Sequence, residues 1–136
     1  LVASGVVGEV IAVGAEELPF EDSSIDTAIF TLSLCTIPDP AAALIEVARV
    51  LRPGGRMLFL EHVRSEDPRF ARWQDRLERP WHFFCDGCYC NRDTLAAIGA
   101  SPLRVERVER AQLPKIPPWI PPLVRPLVVG NAVLPA

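Results

Sequence analysis

The sequence predicts an α/β fold built on a mostly parallel sheet, and three observations carry that prediction. Residues 26–32 and 57–60 are continuous, β-rich apolar runs, the pattern of strands buried on both faces. Between them Leu44, Val47, Ala48 and Leu51 fall at i, i+3, i+4 and i+7, one face of a helix. A strand–helix–strand unit of this kind requires a right-handed crossover between parallel neighbours, in a sheet covered on both faces.

Local signals set the boundaries. Asp39 is suited to cap the central helix and Pro40 to open it, while Glu46 and Arg49 point away from its apolar face. Pro53 keeps Arg52 out of the helical region, and Gly54-Gly55 accommodates the turn that follows. Upstream, residues 9–13 are expected to form a short strand ending at Gly14, and residues 21–24 a polar turn. Downstream, residues 65–79 carry Phe70, Trp73 and Leu77 at i, i+3 and i+7, an amphipathic helix expected to stop before Pro80. Asn91 or Asp93 can cap a helix over residues 92–98, ended by Gly99. Residues 103–108 alternate imperfectly, as a half-exposed strand would, and residues 127–133 read as a short last strand. Residues 111–122 are a proline-rich connection. The whole chain, 1–136, reads as one domain.

Composition removes several classes of function. The net charge is −3 and the basic residues form no cluster, which argues against a nucleic-acid partner. Four cysteines without a signal-peptide pattern indicate a reducing, cytoplasmic setting. Residues 116–136 carry one charge, Arg125, but their prolines rule out a continuous spanning helix; Trp119 and Arg125 suit peripheral contact with a membrane. The only lysine, Lys115, precedes Ile116, so no P-loop is present. No dinucleotide-binding Gly-x-Gly-x-x-Gly and no Gly-x-Ser-x-Gly elbow occur, and Tyr89 has Asp93, not lysine, four residues on. Beginning at Leu1 rather than Met, the chain is expected to be part of a longer protein.

Ligands of parallel sheets bind outside the carboxyl ends of the strands, here residues 31–36 and 61–63. Glu61-His62 at a strand end suits acid–base work, though a structural histidine is equally compatible. Residues 14–20 place carboxylates after a small residue, either a ligand contact or a solvated turn. His82, Cys85, Cys88 and Cys90 are zinc-type donors, but they sit within nine positions on one loop with no second Cys-x-x-Cys pair. They are read as reduced, partly buried thiols, and no metal ligand is assigned.

Taken together, residues 15–20, the strand at Asp26, Thr31-Leu-Ser-Leu-Cys35, Val50-Leu-Arg-Pro-Gly-Gly55 and Glu61-His-Val63 resemble the second half of a class I S-adenosylmethionine-dependent methyltransferase of the type 11 group. Pro80-Trp-His82, Asp86-Gly-Cys88, Asn91-Arg92, Leu123-Val-Arg-Pro126 and Gly130 are similar to the methyltransferase-like proteins that methylate small alkyl thiols at membranes. The resemblance implies a partial Rossmann-like methyltransferase fold with strand order 3-2-1-4-5-7-6, the last strand antiparallel. This chain would supply strands 3 to 7. The family's glycine-rich cofactor loop and its ribose-binding acid have no counterpart in these residues. The resemblance also implies S-adenosylmethionine as cofactor and a small-molecule acceptor, with a thiol as the nearest candidate. Gly14, Ala15 and Glu16 would hold the adenine, although many relatives carry aspartate where this chain has Gly14. Thr31, Leu32, Ser33 and Leu34 would lie along the methionine portion. His62, Trp81, Asp86 and Cys88 would face the substrate, with His62 and Asp86 as catalytic candidates, under an aromatic lid of Trp73, Trp81, Phe83 and Phe84. By itself the chain is expected to bind the cofactor weakly and to expose the edge of its Asp26 strand. Two other readings stand beside this one: a half-sheet interaction module, and a small metal or redox module centred on residues 85–90.

Overall fold

The computed structural model describes residues 7–113 and 122–136. Strand β1 (Ile25–Thr31) leads through helix α1 (Pro40–Val50) to strand β2 (Leu51–His62). Helices α2 (Pro68–Phe84) and α3 (Thr94–Gly99) follow, then strands β3 (Arg104–Gln112) and β4 (Pro126–Val133). The sheet order is β1-β2-β4-β3, with β1 parallel to β2 and β4 antiparallel to both β2 and β3. Three strands therefore point one way and the last runs against them, the 4-5-7-6 portion of the order that the resemblance implies.

Short-range chemistry shapes the central unit. Asp39 accepts hydrogen bonds from the N–H groups of Ala41 and Ala42 at 3.1 and 3.0 Å, satisfying donors that the first turn of α1 leaves free. Ala43, Leu44, Val47, Ala48 and Val50 then face the core. The helix stops where Pro53 forbids it. Gly54 takes φ +77°, a region closed to most side chains, and a Cβ on Gly55 would lie 2.8 Å from the Arg52 carbonyl. This turn is absorbed as a register slip between Ile25 and Thr27, after which Thr27–Thr31 pair regularly with Arg56–Leu60. Phe30, Leu44, Val47, Leu51, Met57, Phe59, Ile98, Val128 and Ala132 close the core. Gly130 belongs to this packing: a Cβ there would meet the Phe59 ring at 2.6 Å and the Arg107 carbonyl at 2.3 Å.

Four expectations are corrected. The sheet is not covered on both faces: Ile29, Leu58 and Val129 are 68%, 37% and 40% exposed on the side opposite α1 and α3. A right-handed crossover places α1 on one side only, and no described helix reaches the other. Residues 9–13 form no strand and lie exposed, because no described strand pairs with the free edge of β1 and an extended segment needs a partner for its backbone. Helix α2 does not stop before Pro80 but continues to Phe84. Its Pro80 is exposed, and packing of Leu77 and Trp81 against Cys90, Leu123 and Val124 offsets the lost hydrogen bond. The buried stripe of α2 runs through Ala71 and Gln74, whereas Trp73 is exposed. Of the two candidate caps for α3, Asp93 is used, accepting from the N–H of Ala96 at 3.0 Å. The expected connection over residues 111–122 lies largely outside the described residues.

Candidate active site

The carboxyl ends of β1 and β2 are joined by a buried carboxylate. Glu61, on the covered face of β2, accepts hydrogen bonds through Oε1 from the N–H groups of Ser33 and Leu34 at 3.0 and 3.1 Å. Desolvation pushes its pKa up, and the N–H donors of the turn partly oppose that shift. Its Oε2 is buried and has no hydrogen-bond partner among the described residues. The clamp holds the chain as it leaves β1, where Leu32 adopts φ +52° while its N–H still donates to the Leu60 carbonyl at 2.8 Å. Thr31 and Leu32 are thereby left exposed at the strand end.

A second loop closes over the first. Residues 85–88 form a tight turn in which Asp86 and Gly87 take φ +51° and +78° and Cys88 donates its N–H to the Cys85 carbonyl at 3.0 Å. Tyr89 donates its N–H to the Cys35 carbonyl at 2.8 Å. Arg92 places Nη1 2.6 Å from the carbonyls of both Leu34 and Ile37 and lays its guanidinium over the Tyr89 ring at 4.4 Å. Gln74 secures the other side: Oε1 accepts from the Ser65 N–H, and Nε2 reaches the carbonyls of Val63, Cys90 and Leu123 at 2.8–3.1 Å. These contacts bring the buried Cys88 against the buried Cys35 and the half-buried His62, with Cys88 Sγ 3.9 Å from His62 Nδ1. The Cys35 thiol, with His62 beside it, holds Cys88 below the usual thiol range, against the opposing effect of burial. The same contact with Cys88, together with burial, pushes Cys35 up.

The predicted residues fall into three groups. Gly14, Ala15 and Glu16 form a turn beside the N-terminus of α1, where Glu16 Oε1 accepts from the Asp39 N–H at 3.2 Å. Glu16 Oε2 lies over Gly14, 2.9 Å from where a Cβ would be, so an aspartate at position 14 would need this carboxylate to move. Thr31, Leu32, Ser33, Leu34, His62 and Cys88 converge at the strand ends. Trp81 is half-buried and its indole helps hold the Cys88 thiol low, while Asp86 is exposed on its turn and no hydrogen bond ties its side chain to His62 or Cys88. Phe83 and Phe84 are 80% and 79% exposed and, like Trp73, form no lid over the site among the described residues. His82, Cys85, Cys88 and Cys90 are not gathered; Cys88 meets Cys35 and His62 instead. Cys35 and Arg92 are included in the sequence reading in motifs without a site role, and the clamp by Glu61 and the contacts of Gln74 are missing from it. Cys35 was visible within the Thr31–Cys35 motif, whereas Gln74 carries no local signal.

The residues present fit part of S-adenosylmethionine. The turn at Gly14–Glu16 and the exposed strand end at Thr31–Leu32 both lie at the carboxyl end of the sheet, as the adenine and methionine ends require. The N–H groups of Ser33 and Leu34 are committed to Glu61, so they are not free for a cofactor carboxylate.

The sheet has the fold of class I methyltransferase-type domains. Residues 3–59 match the methyltransferase domain family. Thiol S-methyltransferase TMT1A of Homo sapiens is 36% identical over 125 residues, 91% of this chain and 50% of that protein. Thiol S-methyltransferase TMT1B of Mus musculus is 37% identical over 127 residues, 92% and 48% of the two chains. Among solved structures, a SAM-dependent methyltransferase from Methanosarcina mazei superposes with a TM-score of 0.67 at 19% identity, covering 90% of this chain and 65% of that one. The [4+2]-cyclase SpnF does so with the same TM-score and identity, covering 91% and 54%. The fold alone therefore does not fix the reaction. The chain is similar to S-adenosylmethionine-dependent methyltransferases and spans about half the length of the thiol S-methyltransferases it matches.

Proposed function

We propose that the protein transfers the methyl group of S-adenosylmethionine to a small-molecule acceptor, and that this acceptor is a thiol. The carrying observation is the convergence of exposed Thr31 and Leu32 with His62 and Cys88 at the carboxyl ends of β1 and β2. Similarity to the thiol S-methyltransferases supports the acceptor class. The cofactor, when bound, supplies a methyl group on a sulfonium. Gly14–Glu16 and the exposed Thr31–Leu32 would hold its two ends. His62 is set to orient the acceptor: its carbonyl receives the Thr94 hydroxyl at 3.4 Å, and its ring faces Cys88. A thiolate needs little proton transfer, so orientation and exclusion of water carry most of the task.

The test is methyl-labelled cofactor with the full-length protein and a panel of thiol, quinone, phenol and amine acceptors. Label is expected in a thioether. His62→Ala is expected to lower turnover about tenfold or more with a nearly unchanged melting temperature. Tight cofactor binding with no transfer to any thiol would overturn the reading.

We further propose a cytoplasmic protein in peripheral contact with membranes. No described helix is long and apolar enough to cross one. Trp119, the sequence basis for this expectation, lies outside the described residues; support comes instead from α2, which exposes Trp73, Phe83 and Phe84 beside Arg69, Arg72, Arg76 and Arg79. Sedimentation with anionic vesicles that is lost on replacing the three aromatics would support it, and equal sedimentation with or without them would refute it.

A further inference from the structure

We propose that Cys35, His62 and Cys88 form a three-ligand site for a zinc ion, with a fourth coordination position left for an exogenous ligand. The two thiol sulfurs and an imidazole nitrogen all lie within 4.8 Å of one another, and Cys88 Sγ is 3.9 Å from His62 Nδ1. With Zn–S of about 2.3 Å and Zn–N of about 2.0–2.1 Å, tetrahedral coordination places such donors roughly 3.5–3.8 Å apart. Side-chain adjustments of a few tenths of an ångström, up to about 1 Å, close the remaining gap. Soft thiolates combined with imidazole select zinc over the hard cations, and two sulfurs with one nitrogen leave a tetrahedral ion one position short.

The donors come from three separate segments, and each is fixed by other contacts. The chain at Cys35 is set by the Glu61 clamp on Ser33 and Leu34. Cys88 sits on a hydrogen-bonded turn, and Tyr89 N–H to Cys35 O joins its loop to that of Cys35. His62 ends β2, paired with Leu127 of β4. Such support is what a metal site needs, because ligands held by their own surroundings lose little freedom on binding. Burial is tolerable as well: Zn²⁺ with two thiolates and a neutral imidazole carries no net charge, and the thiol protons leave to solvent as the ion enters. Cys35 and Cys88 are buried whereas His62 is half-buried, which leaves the approach on the histidine side. The set differs from the loop donors His82, Cys85 and Cys90, of which Cys90 packs with Leu123 and Val124. The proposal does not depend on methyl transfer, and metal uptake is read without it.

The experiment is titration of the reduced, metal-free full-length protein with Zn(II) against a chromophoric chelator, and with Co(II) followed by absorption. One equivalent is expected. Cobalt should give tetrahedral d–d bands and a charge-transfer band of the intensity of two thiolates. Cys35→Ser, Cys88→Ser and His62→Gln should each weaken zinc binding at least tenfold, whereas Cys85→Ser and Cys90→Ser should leave it unchanged. Because the cobalt spectrum reads the wild-type protein, the test stands even where a variant fails to fold. No stoichiometric uptake, a cobalt spectrum without thiolate charge transfer, or binding that depends on Cys85 and Cys90 would overturn the assignment.

Discussion

The two faces of the sheet are built from the same strands and have opposite fates. Phe30, Met57, Phe59, Val128 and Ala132 are buried on the side of α1 and α3. Their sequence neighbours Ile29, Leu58 and Val129 face the other way, among Arg56, Arg107, Glu109 and Asn131, and remain exposed. Apolar content alone does not separate Ile29 from Phe30. Position relative to the crossover does: successive residues of a strand alternate sides, and both described helices that pack on the sheet lie on one of them. The carboxyl-end site belongs to the boundary between these regions, with Glu61 on the covered side and His62 on the open side.

The comparison is tested most strongly at adjacent positions of β2. Phe59→Ala is expected to destabilise the fold by about 3–5 kcal/mol, through lost burial and the cavity left over Gly130. Leu58→Ala one residue away is expected to cost about 1 kcal/mol or less. Denaturant unfolding of both variants decides it, and equal losses would mean that the open face is covered in solution.

Glu61→Ala is expected to cost about 3 kcal/mol, because two N–H groups of the β1–α1 turn lose their acceptor. Glu61→Gln keeps an acceptor oxygen and should recover most of that loss. If the two variants unfold alike, the clamp is not what holds the turn.

Ile29→Thr, on the open face, should change stability by less than about 0.5 kcal/mol while reducing self-association at high concentration, measured by sedimentation velocity.

The smallest effect concerns the outside of the covering helix. Glu46 is held low, at about 2, by Arg49 and by the N–H of Leu18 at 2.9 Å. Arg49 also reaches the carbonyls of Leu18 and Phe20, tying residues 18–22 to α1. A carboxylate depressed on folding contributes stability that is present above its ordinary value of 4.5 and is lost as pH falls toward 2. Glu46→Gln should therefore flatten the loss of stability between pH 4.5 and 2, leaving the profile above pH 5 unchanged.

The sequence by itself determined the strand–helix–strand unit, its caps and its breaks, because these depend on residues a few positions apart. Asp39, Pro40, Pro53, Gly54 and Gly55 act on their own backbone, and the period of Leu44, Val47, Ala48 and Leu51 defines a helix face. It also directed attention to the strand ends, where the structure brings Cys88 and His62 together. What only the tertiary structure decided were the contacts between distant segments. Residues 9–13 have strand composition, but strand formation requires a neighbour, which no local pattern records. Pro80 is a local stop signal overridden by the packing of Trp81. Cys35 and Cys88 are fifty-three positions apart, and nothing in the spacing of either announces the other; the Glu61 clamp, the Tyr89–Cys35 hydrogen bond and the Arg92 staple bring their loops together.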